Sequence, residues 1–346
     1  MKNRKLLLWL SVVGIAIIII IAGAALYAKH LIMGTHFTNA ETAYIYIDTD
    51  DNLDSVRAKT VNASHPKEMK GFDLIAKHFK LDTQIHTGRY EIKSDMRMLD
   101  FMRDLRNGNQ KPLMITIPSV RTIEDMCGRA TRNIMLDSAS LAKMLTDTVF
   151  CSSIGYTEET LPALFIPNTY EVYWDISLEE FIERLQKENA AFWNSERMKK
   201  ADALGMSKEE VVTLASIVDS ETANNGEKPR VAGLYINRLN KGMLLQSDPT
   251  VIFATKDFTI RRVLNHHLQT ESPYNTYKYK GLPPGPIRIP SIAGIDAVLN
   301  YEKHNYIYMC AKEDFSGTHN FASTYSAHLA NARRYTKALT ARGIMK

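Results

Sequence analysis

The chain has 346 residues, of which 45% are hydrophobic and 23% charged, so it can bury a sizeable core and does not have the composition of a disordered protein. Residues 29–346 contain 40 lysines and arginines against 38 aspartates and glutamates, because three of the 43 basic residues precede them. This near-neutral balance, without a dense basic stripe, argues against a nucleic-acid partner.

The first predicted element is an apolar helix over residues 6–28, a stretch of 23 residues without a charged side chain. A helix of that length spans a hydrocarbon core of about 30 Å at about 1.5 Å per residue. The basic residues within the preceding tail, residues 1–5, predict a cytoplasmic N-terminus by the positive-inside rule. The remaining chain should then lie outside the inner membrane. A cleaved signal peptide is the alternative, because residues 22–28 include small side chains.

The three cysteines, Cys127, Cys151 and Cys310, are widely spaced and form neither a CxxC pair nor a zinc-binding pattern. An external compartment permits one disulfide, but the spacing does not identify it. Buried free thiols are the simpler interpretation.

Residues 29–40 are expected to be a short connector, and residues 41–117 a compact α+β module. Its strands are predicted from alternating aromatic and β-branched residues, and its helices from apolar residues that recur at the helical period. The strands are at 43–48, 88–92 and 113–117, and the helices at about 69–79 and 94–107. Ser94 is the expected N-cap of the second helix, and Gly108 its C-terminal stop.

Residues 118–200 are predicted to be a helix-rich intermediate part. The segment 164–173 (LFIPNTYEVY) interrupts the helices, and its Pro167 and Asn168 are typical of a turn. This segment is therefore interpreted as having a structural role rather than a role in binding or catalysis.

A helix that places a carboxylate among apolar side chains begins the last part of the chain. Ser207 and Glu210 fit a capping box at its start. At about 100° per residue, Glu221 lies within about 20° of Leu214, on the apolar side. Asp219 lies about 160° from Glu221, which predicts an outward-facing side chain and an unchanged activity for Asp219→Asn.

Burial beside aliphatic groups disfavours the charged form of a carboxyl group, so the pKa of Glu221 should be raised. A carboxyl that keeps its proton near neutral pH can act as a general acid. A structural glutamate, either reaching solvent or held in a hydrogen-bond network, is the alternative.

A second helix is predicted to begin near Pro229 and to end near Gly242. It carries Asn237 and Arg238, which are interpreted as scaffold, although Arg238 could pair with a carboxylate across a cleft. The following segment 245–254 (LQSDPTVIFA) contains two further candidate site residues.

Gln246 and Asp248 occupy the turn before Pro249. The Gln246 amide has a donor and an acceptor that could bind a polar ligand. Asp248 is a candidate second carboxylate beside Glu221, because acid–base catalysis often uses two such groups. An Asx-type cap before Pro249 is the alternative for Asp248.

Two proline-rich segments, 272–277 (SPYNTY) and 281–290 (GLPPGPIRIP), are predicted to be rigid and irregular. They carry Asn275 and Tyr277, which could form the wall of a binding cleft or a structural clamp beneath the helix. Strands are predicted at 306–310 and 318–321, and a helix at 325–341. His319 on the second strand could line the cleft or could be a core histidine.

The motifs LASIVDSET (214–222), LQSDPTVIFA, SPYNTY and GLPPGPIRIP, in this order, resemble those of the MltG (YceG-like) family of membrane-bound lytic transglycosylases. The resemblance is strongest over 207–290, moderate over 291–335 and weak before 200. Asp219 stands where the family motif has a glutamate, and Asn168 where a related segment has an aspartate.

The resemblance implies an α+β chain with a single transmembrane helix, a small LysM-like subdomain at 41–117 and a C-terminal mixed α/β catalytic domain of YceG-like type at 201–346. It implies endolytic cleavage of nascent peptidoglycan between N-acetylmuramic acid and N-acetylglucosamine, with 1,6-anhydro-muramic acid ends. Glu221 matches the catalytic glutamate of the family motif. Neither a metal nor another cofactor is expected, and peptidoglycan synthases are expected neighbours.

Two alternatives of other classes remain at this point. A hydrolase would use Asp248 or a positioned water for a second catalytic function. A non-catalytic glycan-binding or division-scaffold protein would need no acid at Glu221.

Overall fold

The computed structural model describes residues 2–344, so Met1 of the predicted tail and residues 345–346 of the predicted catalytic domain lie outside the described residues. The α-helices are α1 (Lys2–Met33), α2 (Leu53–Ser64), α3 (Lys70–Phe79), α4 (Met98–Asn107), α5 (Ile123–Ala130), α6 (Ser138–Leu145), α7 (Thr148–Ser153), α8 (Leu178–Phe192), α9 (Ser195–Leu204), α10 (Lys208–Glu221), α11 (Lys228–Asn240), α12 (Asp248–Thr255), α13 (Ile292–Leu299) and α14 (Tyr325–Ala341). Short 3-10 helices occur at Leu81–Thr83, Leu161–Leu164 and His267–Gln269.

The strands are β1 (Ala43–Ile47), β2 (Gly88–Ile92), β3 (Leu113–Ile117), β4 (Asn168–Val172), β5 (Tyr308–Ala311) and β6 (His319–Ala322). They form three two-stranded sheets, β1–β2, β3–β4 and β5–β6, of which the first and third are antiparallel. The mixed α+β class is therefore confirmed. The turn expected at Pro167 and Asn168 is instead the start of a strand.

The chain divides into two compact units. Unit 1 comprises Met1–Met114, Asn133–Met135 and Glu171–Ile176, and unit 2 comprises Ile115–Arg132, Leu136–Tyr170 and Ser177–Lys346.

Helix α1 contains a segment long and apolar enough to cross a membrane, Arg4–Met33, whose most apolar 18 residues have a mean hydropathy of 2.9. The helix does not end where the uncharged stretch ends, and the expected free connector at 29–40 is part of the fold of unit 1. Leu31 and Phe37 are buried, and the Phe37 ring meets that of Phe101 edge-on at 5.5 Å. Helix α1 therefore continues into the core of unit 1.

The core of unit 1 lies between the β1–β2 sheet and helices α2, α3 and α4. Sequence periodicity missed α2, because its buried positions are Val56, Thr60 and Ser64, two of which are polar. Helix α4 begins four residues after the expected cap Ser94, but Gly108 ends it with φ +67°, as predicted.

In unit 2, helix α10 is surrounded by other helices and every residue from 211 to 218 is buried. Its predicted capping box is present, since the Ser207 side chain accepts from the Glu210 amide and the Glu210 carboxylate accepts from the Ser207 amide. Helix α11 carries Pro229 in its first turn, as predicted. Helices α10 and α11 and the β5–β6 hairpin contribute residues to the candidate site.

The three cysteines are free thiols, and Cys127 and Cys151 are buried. The prediction of buried free thiols is confirmed for these two, while Cys310 is only half-buried. Burial raises the pKa of the Cys127 thiol to about 12, which makes it unreactive at neutral pH.

Candidate functional site

A cavity of about 380 Å³ in unit 2 brings together five of the six residues that the sequence nominated. Helix α10 contributes Glu221, the segment before α12 contributes Gln246 and Asp248, a loop contributes Tyr277, and β6 contributes His319. These residues are up to 98 positions apart in the chain, so only the tertiary fold assembles them.

Glu221 is the last residue of α10, and its carboxyl group is held by two hydroxyl donors. Tyr235 donates to Oε1 at 2.7 Å, and Ser247 donates to the same oxygen at 2.5 Å. Within the described part of the chain both donors lie at Oε1, so Oε2 is the oxygen that can present a proton to a ligand.

Burial raises the pKa of Glu221, and the nearby negative charge of Asp248 acts in the same direction. The hydrogen bonds from Ser247 and Tyr235 oppose this rise, because they stabilise the carboxylate, but burial is the larger effect. The predicted rise in the pKa of Glu221 is confirmed. A raised pKa favours the protonated form of the carboxyl group.

The sequence did not reveal that Tyr235 and Ser247 hold Glu221. Tyr235 is 2% exposed and fits the apolar face of α11, so its hydroxyl gave no separate signal. Ser247 is fully buried although it stands between two exposed residues, Gln246 and Asp248. The sequence shows only a serine between two candidate site residues, and its burial becomes visible only in the structure.

Gln246 lies at the cavity with its backbone in the left-handed region, at φ 54°. Arg238 donates from Nη2 to the Gln246 Oε1 at 2.5 Å, which fixes the orientation of the amide. Two further donors of Arg238, Nε and Nη1, bind the carbonyl oxygens of Leu244 and Ile307, each at 2.8 Å. The three acceptors that Arg238 binds here are neutral, so the suggested pairing with a carboxylate is not found among the described residues.

Asp248 is exposed at the start of α12 and accepts a hydrogen bond at Oδ1 from the Tyr277 hydroxyl at 2.6 Å. Burial, followed by this hydrogen bond, raises the pKa of Tyr277, so Tyr277 remains a hydrogen-bond donor. The Asp248 carboxylate is thus tied to a second residue of the cavity rather than left as an isolated turn residue.

His319 is fixed by Glu227, a buried carboxylate that the sequence did not single out. The His319 backbone amide donates to Oε1 of Glu227 at 2.7 Å, and its ring Nδ1 lies 2.9 Å from Oε2. Because a carboxylate only accepts, the Nδ1 atom of His319 carries a hydrogen and donates it to Glu227. His319 therefore lines the cavity in a fixed orientation.

Asn275 is the exception among the nominated residues. It is fully buried, and its Nδ2 donates to the carbonyl oxygens of Leu268 at 3.0 Å and Thr270 at 2.9 Å. Its Oδ1 accepts from the Tyr277 amide at 3.0 Å. These bonds occupy the side chain within the loop, so Asn275 acts as the structural clamp and its assignment to the cleft wall is corrected.

The outward orientation expected for Asp219 is also wrong. The Asp219 carboxylate is 4% exposed and lies 2.7 Å from the Lys228 ammonium, which is 7% exposed. It also accepts from the amide and the hydroxyl of Ser291, at 2.5 and 3.0 Å. A Cβ on Gly294 would lie 2.5 Å from Asp219, so α13 packs closely on this side. Both sides of α10 are buried, which a helical wheel cannot show.

Asn237 donates to the carbonyl oxygens of His304 at 2.7 Å and Tyr306 at 3.0 Å, which confirms its interpretation as scaffold. Among residues 2–344, no group of three or more His, Cys, Asp or Glu side chains is arranged to hold a metal ion.

Comparison with known proteins identifies a family and several relatives. The model described as the YceG-like family matches residues 45–334. An endolytic murein transglycosylase of Bacillus subtilis (strain 168) is 27% identical over 339 residues, which cover 92% of this chain and 91% of the relative.

An endolytic murein transglycosylase of Streptococcus pneumoniae serotype 2 (strain D39 / NCTC 7466) is 24% identical over 274 residues, or 69% of this chain and 49% of that relative. Among solved structures, a yceG-like protein of Listeria monocytogenes superposes with a TM-score of 0.57 and 24% identity. The superposition covers 84% of this chain and 99% of that one, and it shows a shared fold.

Proposed function

The chain belongs to the YceG-like family, and from this premise we propose that it is an endolytic lytic transglycosylase that cleaves the glycan strands of peptidoglycan. The observation that supports this most directly is Glu221, a carboxyl group with a raised pKa at a cavity wide enough for sugar residues. The relatives named endolytic murein transglycosylase support the substrate class.

The proposed reaction uses one carboxyl group twice. Glu221 first donates its proton to the oxygen that links N-acetylmuramic acid to N-acetylglucosamine, and the bond from the muramic C1 to that oxygen breaks. The resulting carboxylate then takes the proton of the muramic 6-hydroxyl, whose oxygen forms a new bond to C1. The products are a 1,6-anhydro-muramic acid end and a free 4-hydroxyl, and no water is consumed.

The neighbouring residues suit the binding and orientation of a sugar. Tyr235 and Ser247 fix the Glu221 carboxyl group through Oε1 and leave Oε2 for proton transfer. Gln246 and Tyr277 line the same cavity with polar groups that can bond hydroxyl or acetamido groups. A group that is fixed before the substrate arrives needs no reorganisation during the reaction.

The position of Asp248 supports one alternative function. Its carboxylate lines the cavity that contains Glu221, so it could activate a water molecule and produce hydrolysis instead. The two reactions give different reducing ends, because the anhydro product is lighter by one water.

Mass spectrometry of the products from uncrosslinked glycan strands tests this proposal. The full chain in mild detergent should release anhydro-ended fragments, and Glu221→Gln should reduce their rate by about 10²–10⁴-fold, the usual contribution of a general acid. Glu183→Gln, the same change at an exposed position of α8, is the matched control and should cleave normally.

The other outcomes separate the alternatives. Hydrated reducing ends, lost in Asp248→Asn, would indicate a hydrolase. Equal cleavage by wild type and Glu221→Gln would contradict the role of Glu221. A wild type that binds strands without cutting them would indicate a glycan-binding or scaffold protein.

We also propose a location and an organisation for the chain. Helix α1 would anchor it in the inner membrane, with a cytoplasmic N-terminus and the chain after residue 28 outside. Residues 41–117 would form the LysM-like module, residues 118–200 the intermediate part and residues 201–346 the catalytic domain. Peptidoglycan synthases are the proposed neighbours.

A further inference from the structure

A second cavity, of about 390 Å³, lies in unit 1 along the exposed sides of α3 and α4. Its wall combines apolar side chains with basic ones and includes no carboxylate. The lining residues are Ile32, Leu74, Ile75, His78, Phe79, Leu99, Arg103, Arg106 and Asn107. We call it the α3–α4 groove.

The α3–α4 groove adjoins the end of the membrane helix. Ile32 of α1 is part of its wall. Helix α3 touches α1 at backbone distance, because a Cβ on Gly71 would lie 2.1 Å from the Leu31 carbonyl oxygen. The first amide of α4, that of Met98, donates to the Gly34 carbonyl at 3.2 Å. Both helices are therefore fixed to α1 rather than attached by a flexible linker.

The distance along α1 places the groove at the membrane surface. The uncharged stretch ends at residue 28, and Ile32 follows four residues later, or about 6 Å along the helix axis. The polar headgroup layer on each side of a bilayer is about 5–7 Å thick. The groove thus opens at headgroup depth if α1 spans the membrane.

The contact between Tyr27 and Lys70 supports the same depth. The carboxylate of Glu68, and after it the Tyr27 hydroxyl, raise the pKa of Lys70, so the first residue of α3 lies beside the end of the apolar stretch. Tyrosine is enriched at the boundary between lipid and water, where its ring is apolar and its hydroxyl is solvated.

The charges of the α3–α4 groove complement an anionic headgroup. Arg103 and Arg106 are exposed on successive turns of α4, and the guanidinium of Arg106 lies 4.9 Å from the centre of the Phe79 ring. Asp100 lies 3.9 Å from Arg103, but Arg97 binds the same carboxylate at 2.5 Å. The apolar wall includes Leu74, which is 50% exposed.

We propose that the α3–α4 groove binds an anionic phospholipid of the membrane in which α1 is anchored. The arginines would contact the phosphate, and Leu74 and Ile32 would contact the part of the acyl chain nearest the headgroup. This proposal rests on the membrane anchoring proposed above and is independent of the glycan chemistry. Its consequence is a fixed orientation of unit 1 on the bilayer.

Native mass spectrometry of the full chain in detergent tests the groove with phosphatidylglycerol and phosphatidylcholine of equal acyl length. Wild type should retain phosphatidylglycerol preferentially. Arg103→Gln/Arg106→Gln should weaken this retention about thirtyfold, which corresponds to about 2 kcal/mol for two charges. Retention of phosphatidylcholine should be unchanged.

The matched control is Arg129→Gln/Arg132→Gln, which removes two exposed charges from unit 2 and should retain phosphatidylglycerol like wild type. Arg103→Lys/Arg106→Lys keeps the charge and should retain most of the binding. Wild-type retention in the Arg103/Arg106 glutamine variant, or equal losses in the two glutamine variants, would overturn the proposal.

Flotation of the full chain with phosphatidylglycerol vesicles separates this proposal from the anchoring on which it rests. A chain that does not float contradicts the membrane anchor. A chain that floats but shows no preference for phosphatidylglycerol contradicts the groove alone. Glycan cleavage should be unchanged in both glutamine variants, since neither alters the cavity that contains Glu221.

Discussion

Asp219→Asn should strongly destabilise unit 2, although the helical wheel predicts that it is harmless. The substitution leaves the Lys228 ammonium buried without its carboxylate, which lies 2.7 Å away in the native protein. In the native protein Ser291 donates a hydrogen bond to each oxygen of the Asp219 carboxylate. The substitution replaces one of these oxygens with an amide nitrogen, which is itself a donor, so one of the two hydrogen bonds is lost. Neither group can regain water without opening the packing between α10 and α13.

The expected loss follows from the burial of the pair. Removing one member of a buried ion pair reduces the free energy of unfolding by about 3–5 kcal/mol, since the remaining charge is uncompensated. For a unit of roughly 200 residues, each kcal/mol lowers Tm by about 2–4 °C, so a decrease of about 10 °C is expected. Activity should fall as well, because Lys228 follows Glu227, which fixes His319.

Thermal unfolding of the full chain in detergent, followed by circular dichroism, measures this effect. The double variant Asp219→Asn/Lys228→Met removes both charges and should recover more than half of the lost Tm. Glu183→Gln again provides a surface control. A Tm for Asp219→Asn within about 2 °C of wild type, or a double variant no more stable than the single one, would refute the reasoning.

Three further predictions concern other contacts. Tyr235→Phe removes a hydrogen bond that lowers the pKa of Glu221, so the pKa should rise further and the alkaline limb of the pH–rate profile should move to higher pH; an unmoved limb would contradict the assignment of Glu221 as the acid. Gly71→Ala should lower stability by about 1–3 kcal/mol and increase hydrogen exchange around Leu31, because the new methyl group overlaps that carbonyl; unchanged exchange would contradict the close contact. Asn275→Ala should lower Tm by several degrees while the glycan KM of the folded protein stays within about twofold, because the side chain bonds only its own loop; a large rise in KM at unchanged Tm would return Asn275 to the cleft.

The sequence predicted well those features that depend on residues close together in the chain. The capping box at Ser207 and the glycine stop at Gly108 depend on neighbouring backbone groups, and both are present. The apolar helix needs only length and composition. Helix α2 was missed because its inward positions carry Thr60 and Ser64, whose buried hydroxyls bond the helix's own carbonyls and leave no apolar period.

In the candidate site, too, the sequence predicted what depends on local spacing and missed what depends on packing. A helical wheel identified Glu221 as a carboxylate on a buried side, because one face of a regular helix can be calculated from spacing alone. The wheel failed for Asp219, since it assumes one polar face and α10 has none. Asn275 was misassigned because a polar residue on an irregular loop has the same sequence pattern whether it bonds a ligand or its own loop.

The sequence by itself determined the membrane-length helix, the mixed class of the fold, and five of the polar residues that line the cavity, because each depends on composition, periodicity or a short motif. Only the tertiary structure decided which hydroxyls hold Glu221, which carboxylate fixes His319, and that Asp219 is buried against Lys228. These are contacts between segments far apart in the chain, and their geometry is set by how the helices pack rather than by any local pattern.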